Sequence, residues 1–478
     1  MKHPLLRTMT ALVASLAVTA PALAQSAPLR ADQVAFRGLY KELVETNTTV
    51  TNGSCTDAAA KMGARLKAAG FTDDRITYFA TPEHPKDGGL VAVLPGSDAK
   101  LKPLLLLAHI DVVEAKRADW TRDPFTLIEE NGYFYGRGTV DDKAQASIWT
   151  DTMVRFAAAG YKPKRTIKLA LTCGEETSGA FNGAEWLAQN HKDWIDAEYA
   201  LNEGGGGRTD GKGLVDGGKL VGQSIQIGEK AYQDFTLTAT NPGGHSSAPP
   251  PDNAIYDLSR ALLAVGGLEF PLQFNDVTRA YFAKAGAARG GELGAAMIAL
   301  AKNPADKAAE AIVNKDKGLH SMLRTTCVAT MVDAGHALNA LPQRATANVN
   351  CRMFPGRTSA ETMAALSGAI ANPAIRIEER VKDKPIAVQP PLDPRIVGPV
   401  EKLAAKYYPG VPVTPTMSTG ATDGVYLEAV GIPVYGVPSV WTNPDGNGTH
   451  GLNERVEVRA LYTARDYLYD LVRDLSSK

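Results

Sequence analysis

Two histidines and a set of carboxylates recur along this chain wherever an apolar run gives way to a turn. His109 and Asp111 follow the four leucines 104–107. Asp141 lies in Gly136-Arg137-Gly138-Thr139-Val140-Asp141-Asp142-Lys143. Glu175 and Glu176 follow Cys173-Gly174, and Asn202-Glu203 opens onto four glycines. His450 sits in Asn447-Gly448-Thr449-His450-Gly451-Leu452-Asn453-Glu454. Carboxylates gathered at one buried rim repel unless a cation neutralises them. Two histidines with three or more carboxylates suit a metal such as zinc, and are enough to hold two ions. Two metals about 3.5–4 Å apart would share a bridging carboxylate and a bridging water. Taken singly, each cluster has a plainer reading. Glu-Glu on a loop is usually solvated, Asp-Asp-Lys often opens a helix, and a glycine run can be a simple turn. Their shared placement, in order at the ends of strands, is what joins them.

The elements that must position these residues are legible as pattern. Leu104–Leu107 reads as a strand buried on both faces. Its carboxyl end is the rim where open α/β sheets place ligands. Alternate strand residues point the same way, so Asp111 can reach the ring nitrogen that His109 does not offer to a metal. Strands are expected at Leu90–Leu94, Arg165–Thr172 and Ala197–Leu201, with a hairpin-like passage at Gly132–Thr139. Helices are expected at Ala31–Val44, Thr56–Ala69, Asp142–Gly160 and Gly183–Asn190. This alternation predicts an α/β domain, a central sheet flanked by helices.

After Glu229 the texture changes. Strands at Tyr232–Thr240, Thr325–Val332, Ala345–Met353 and Ile375–Val381 alternate with helices at Ala254–Val265 and Ser359–Ala371. The order β-α-β-β-α-β is an α+β, ferredoxin-like plan, inserted into the larger domain. The alanine-rich stretch Val277–Asn314 reads as extra helices within that insert. Pro385–Pro394 reads as the return crossing. A helix at Ile396–Tyr407, a strand at Pro433–Pro438 and a helix at Val458–Leu475 complete the first domain. The expected division is 1–24 signal peptide, 25–228 and 385–478 catalytic domain, and 229–384 insert.

A chain of 478 residues is too long for one ordinary core. Lys+Arg and Asp+Glu number 51 and 52, with no basic run, which argues against nucleic acid or an anionic membrane surface as partner. Lys2 and Arg7, the apolar run Met9–Val18 and Pro21-Ala22-Leu23-Ala24 have the form of a secretory signal cleaved after Ala24. The run is too short to span a bilayer. Export is expected, with a bacterial periplasm as destination. Cys327 and Cys351 lie in two strand-like runs and are expected to face each other across a hairpin, where an oxidising compartment permits a bond. Cys55 and Cys173 read as unpaired.

With these motifs assembled, the mature chain resembles the M20 metallopeptidase family. That family includes glutamate carboxypeptidase, succinyl-diaminopimelate desuccinylase, aminoacylase and carnosinase-type dipeptidases. The resemblance implies a zinc-peptidase-like domain with an inserted lid that dimerises. It implies two zinc ions per subunit, replaceable by cobalt or manganese. His109 would bind one metal, with Glu176 completing that shell. Asp141 would bridge. Glu203, where many members carry Asp, would hold the second metal with His450. Glu175 would be the general base and Asp111 would orient His109. A cis peptide is implied at Asp141–Asp142. His245, in Gly-Gly-His-Ser-Ser-Ala, would stabilise the oxyanion, often at the partner subunit's site. Asn339 and Arg352 would contact substrate. Asn350 stands where the usual pattern before that arginine has Asp. Gly420, Ala421 and Thr422 match a loop whose backbone would hold the substrate's terminal carboxylate.

The implied chemistry is hydrolysis of an amide next to a free carboxylate. Glu175 would take a proton from water and return it to the leaving amine. The leading expectation is a secreted carboxypeptidase or dipeptidase acting on small peptides. An N-acyl-amino-acid deacylase uses the same machinery. A periplasmic binding protein that kept the fold without catalysis is a third reading, against which Glu175 argues.

Overall fold

The computed structural model describes residues 28–177 and 179–477. The signal-peptide reading of residues 1–24 lies outside them. The described residues build a ten-stranded mixed sheet in the order Ile76–Thr81, His84–Leu94, Ile167–Thr172, Leu104–His109, Tyr199–Asn202, Val434–Gly436, Leu220–Glu229, Gly206–Thr209, Trp441–Thr442. Val413–Ser418 pairs with Leu220–Glu229 off this path.

The leucine strand shows why the sheet is covered on both sides. Leu104, Leu106 and Ala108 belong to one core, packed under the helices Ala31–Glu45, Lys143–Ala158 and Val458–Ser476. Leu105 and Leu107 belong to the opposite core, with Leu187 of Gly183–Asn190 and Leu427 of Gly424–Ala429. Both faces of one strand are therefore dry, each fully buried leucine contributing about 1.5–3 kcal/mol of transfer free energy. That fixes the register at which His109 emerges.

A second, four-stranded antiparallel sheet runs Thr326–Ala334, Arg344–Met353, Ala231–Thr240, Arg376–Glu379. With the helices Ala254–Gly266 and Ser359–Ile370 it realises the β-α-β-β-α-β plan and has its own core. The helices between Asp276 and Met322 depart from expectation. Val277, Phe282, Met297, Leu300 and Leu319 join the core of the large sheet, and Asp276–Arg289 packs on Val413–Ser418. Their apolar stripes needed a partner, and this strand next to Leu220–Glu229 offers one. Among the described residues, no helix is long and apolar enough to cross a membrane.

Cys327 and Cys351 are cross-strand partners and are bonded. Cys55 and Cys173, read as unpaired, are also bonded. Cys55 opens the helix Cys55–Ala68 and Cys173 ends the strand Ile167–Thr172, so packing brings them together across 118 residues of sequence. A cross-link closing so long a loop removes much unfolded-state entropy. Cys55→Ser/Cys173→Ser is expected to lower unfolding free energy by about 2–5 kcal/mol. Urea denaturation checks this, and an unchanged midpoint counts against the bond.

Candidate active site

Three neighbouring strands deliver three of the clusters to one rim. His109 ends its strand opposite Thr172, which leads through Cys173-Gly174 to Glu175 and Glu176. On the other side Tyr199–Asn202 runs parallel to the leucine strand and leads into Glu203. Asp141 comes from the turn before the helix Lys143–Ala158, across a cis Asp141–Asp142 peptide. His450 comes from a C-terminal loop.

Asp141 is the hub. One carboxylate oxygen lies 3.1 Å from His109 Nε2, the other 3.1 Å from His450 Nε2. His109 Nε2 is also 3.8 Å from Glu203, and His450 Nε2 is 2.9 Å from Glu176. The expected grouping put Glu176 with His109 and Glu203 with His450; ligand atoms of His109, Asp141 and Glu176 do lie within 4.8 Å of one another, while the direct contacts pair His109 with Glu203 and His450 with Glu176. Strand order sets these direct contacts. Glu203 leaves the strand beside His109, whereas Glu176 leaves the strand on the far side and faces His450.

Asp111 does more than orient a ring. His109 Nδ1 is 3.2 Å from the Asp111 carbonyl and 3.5 Å from its carboxylate. The same carboxylate accepts from the backbone N–H groups of Glu175, at 3.4 Å, and Glu176, at 3.0 Å. It therefore ties the His109 strand to the Glu175–Glu176 turn. Asp423 ties that turn to the loop of Gly420, Ala421 and Thr422, accepting from Thr172 Oγ1 at 2.9 Å and Asn182 Nδ2 at 2.6 Å. Asn182 also donates to the Gly174 carbonyl.

The electrostatics are those of a site short of positive charge. Burial pushes Glu175 up to about 8, against the pull of His109 and with Asp423 and Glu176 adding to it. Burial likewise raises Glu203 and Asp142. Hydrogen bonds to Asp141 and Glu176 lift His450 to about 10. For His109, burial works downward but Glu203, Asp111 and Asp141 outweigh it and raise the ring well above its usual range. Asp141 goes the other way, burial being overcome by its two histidine bonds. Protons on these groups do the work a cation would do better. Both histidines aim Nε2 at a shared carboxylate, and the donor set of imidazoles and carboxylates is what zinc takes. The residues present therefore fit a divalent metal, with ligand atoms of His109, Asp141 and Glu176 within 4.8 Å of one another.

A cleft of about 660 Å³ opens beside Glu175, Glu176 and His450. Ala421 and Thr422 line it, as does Arg352. Gly420 lies next to them, its N–H on Ser418 Oγ. The carboxylate missing at Asn350 is supplied by Asp234, its cross-strand partner, which accepts from Asn350 at 3.0 Å. Lys384, unassigned by sequence, also lines the cleft. Lys384 and Arg352 lie 3.7 and 4.8 Å from the Tyr232 ring centroid, within cation–π range. Lys384 sits in a segment without regular structure, so no periodicity marks it.

His245 and Asn339 do not join this cleft. They sit together where Gly244–His245 pairs with Ala340–Leu341, and the Ser246 N–H donates to the Asn339 carbonyl. His245 is exposed, its Nδ1 bonded to Ser247 Oγ at 2.8 Å.

The chain matches the model of Peptidase family M20/M25/M40 over residues 105–474. It is 26% identical over 452 residues to the N-fatty-acyl-amino acid synthase/hydrolase PM20D1 of Homo sapiens, covering 93% of this chain and 88% of that protein. It is 27% identical over 386 residues to a probable carboxypeptidase S-like 2 of Dictyostelium discoideum, covering 79% and 73%. Among solved structures, the M20 family metallo-carboxypeptidase Sso-CP2 of Sulfolobus solfataricus superposes with a TM-score of 0.69 at 17% identity, over 94% of this chain and 100% of that one. Human carnosine dipeptidase 1 superposes with a TM-score of 0.61 at 15% identity, over 93% and 97%. On the family match, which spans most of its length, the chain belongs to peptidase family M20/M25/M40 and is an enzyme of the M20 metallopeptidase and amidohydrolase type.

Proposed function

We propose that this protein is a secreted, metal-dependent exopeptidase, a carboxypeptidase or dipeptidase, that hydrolyses an amide next to a free carboxylate. The observation that carries the reading is the cleft itself. A half-buried carboxyl, Glu175, lines it beside His450 and Glu176, as do two cationic side chains, Arg352 and Lys384, with Tyr232.

His109, Glu203 and Asp141 would hold one zinc ion, and His450, Glu176 and Asp141 a second; cobalt or manganese would substitute. Bound there, the ions would neutralise the carboxylates, polarise a carbonyl and bring the pKa of a water toward neutrality. Glu175, offset from the two histidine–carboxylate groups, takes the proton of the attacking water and returns it to the leaving amine. Arg352 grips the substrate carboxylate in its planar fork. The backbone of Gly420, Ala421 and Thr422 supplies further donors. Asp111 keeps His109 and the Glu175–Glu176 turn in register. His245 and Asn339 would serve the site of a second copy, as the oxyanion donor and a substrate contact. A homodimer through the smaller sheet suits its edge strand Thr326–Ala334, which exposes Val328, Met331 and Val332. Two disulfides suit an oxidising compartment and support export, the bacterial periplasm being our reading.

A second reading, N-acyl-amino-acid deacylase, is favoured by the PM20D1 relatives, named for N-fatty-acyl-amino acids. A parallel panel of dipeptides and N-acyl amino acids decides between them. Turnover of dipeptides supports the first reading, and turnover confined to acyl conjugates moves the assignment to the second. Chelation is expected to remove activity and zinc, cobalt or manganese to restore it. Activity persisting in demonstrably metal-free protein defeats metal dependence. Binding without turnover of either panel would leave only the non-catalytic reading.

A further inference from the structure

The two sides of the candidate metal centre are built differently. His109 closes a strand that is paired on both sides, and its side chain is 1% exposed. His450 lies in a loop at φ +58°, and its side chain is 57% exposed. Asn447 and Asn453 nearby also have left-handed φ values, +56° and +54°. Non-glycine residues in this region are strained and persist only where their surroundings over-determine them. Something must hold this loop against the turn that carries Asp141.

That role falls to one buried ion pair. Glu454 is 0% exposed and Arg137 3%. One Glu454 oxygen accepts from Arg137 Nη1 at 2.8 Å and the Gly138 N–H at 2.9 Å. The other accepts from the N–H groups of Val140, at 2.8 Å, and Asp141, at 3.2 Å. The second Arg137 nitrogen, Nη2, donates to the Gly451 carbonyl at 2.7 Å, directly after His450. One carboxylate thus sets the backbone leading into Asp141, and its guanidinium partner sets the backbone leaving His450. On the His109–Glu203 side the positioning comes from the sheet and from Asp111, and the ion pair makes no hydrogen bond to His109 or Glu203.

We propose that the Arg137–Glu454 pair is a positioning device that acts chiefly on one of the two ion sites, the one formed by His450, Glu176 and Asp141, because it fixes the loop of His450 as well as the shared Asp141. The inference rests on the metal reading above and adds a site preference to it. A buried ion pair can also be simply structural, and the protein contains such a control. Arg465 and Asp151, 0% and 5% exposed and 2.8 Å apart, join two helices without touching a rim loop.

The test is zinc titration of the metal-free full-length chain by calorimetry, with a competing chelator, on wild type, Glu454→Gln, Arg137→Lys and Asp151→Asn. Wild type is expected to bind two ions. Glu454→Gln keeps the side chain's size but turns a donor toward backbone donors. It is expected to weaken the His450 site by about 10–100-fold, as supporting partners of metal ligands do, and the other, which shares Asp141, by clearly less. Arg137→Lys, which loses the fork to Gly451, is expected to weaken the same site, and supplies the reading should Glu454→Gln fail to fold. Adding His450→Ala to either variant should remove that weakened site and spare the tight one. Asp151→Asn should lower the thermal midpoint with both affinities intact. Equal weakening of both sites, no weakening, or the same loss in Asp151→Asn overturns the proposal. A wild-type protein that binds no zinc defeats the metal reading first, and is told apart by that result alone.

Discussion

Glu175→Gln is expected to lower kcat by about 10²–10⁴-fold while leaving zinc stoichiometry unchanged. The substitution keeps shape and burial and removes only the ability to accept a proton. Glu175 lies outside the two groups of side chains that converge on Asp141, so its loss should not loosen an ion. The same change should stabilise the metal-free protein, because the native carboxyl is held where a charge is unwelcome. Burial raises its pKa to about 8, above the ordinary value of 4.5 that it regains on unfolding. For a carboxyl raised in this way the folded state binds the proton more tightly. Ionisation therefore costs stability progressively between pH 4.5 and 8 and costs nothing below that window. Thermal unfolding of chelated protein should show Glu175→Gln level with wild type near pH 4 and above it at pH 8. Activity and stability moving in opposite directions is the mark of a residue kept for chemistry. Undiminished turnover would sink the base assignment, and a stability gain that shrinks with rising pH would contradict the buried-charge account.

Much of the site was legible because its residues fall at punctuation marks of the chain. A buried apolar run ending in His-Ile-Asp, or in Cys-Gly-Glu-Glu, announces a strand end whatever the strand's neighbours are. The neighbours are what local pattern does not carry. Tyr199–Asn202 lies beside Leu104–His109 only because the folded sheet puts it there. That adjacency, invisible locally, is what brings Glu203 within reach of His109. The same blindness hid the Cys55–Cys173 bond, which depends on a helix start meeting a strand end 118 residues away. Strand Leu220–Glu229 carries glycines and glutamines, and Val413–Ser418 is short and contains Pro415, so neither reads plainly as a strand. Yet these two paired strands are what the Asp276–Met322 helices cover, so missing the strands also misplaced the helices. Arg137 and Glu454 stood inside motifs already singled out, but a charged residue in a turn reads as solvated until the fold buries it. The smaller sheet was readable because its elements keep the β-α-β-β-α-β order, even though its central pairing, Ala231–Thr240 with Arg344–Met353, joins strands far apart in sequence.

Asp141→Asn should be the most damaging single substitution at the rim, and for a different reason from Glu175→Gln. Its two oxygens each meet a histidine Nε2 at 3.1 Å, one on either side. An amide can present an oxygen to only one of them, and must point hydrogens at the other. One carboxylate serving both candidate ion sites cannot be half replaced, so zinc bound per chain is expected to fall below two under any buffer that saturates wild type. Loss of several kcal/mol of charge stabilisation should take kcat/KM down by about 10³-fold or more. Metal-free stability should fall as well, opposite to Glu175→Gln. The carboxylate helps raise His450 to about 10, and that proton's contribution is complete below the ordinary histidine value and fades only as pH rises through 10. Removing Asp141 therefore weakens the chelated protein across the neutral range, where wild type still holds the proton. The two variants separate the two roles in one experiment. A base loses turnover, keeps zinc and gains stability, while a bridge loses turnover, zinc and stability together. If Asp141→Asn retained two tightly bound ions, the bridge would have to be another carboxylate, and Asp141 would be left as a hydrogen-bond partner of two histidines.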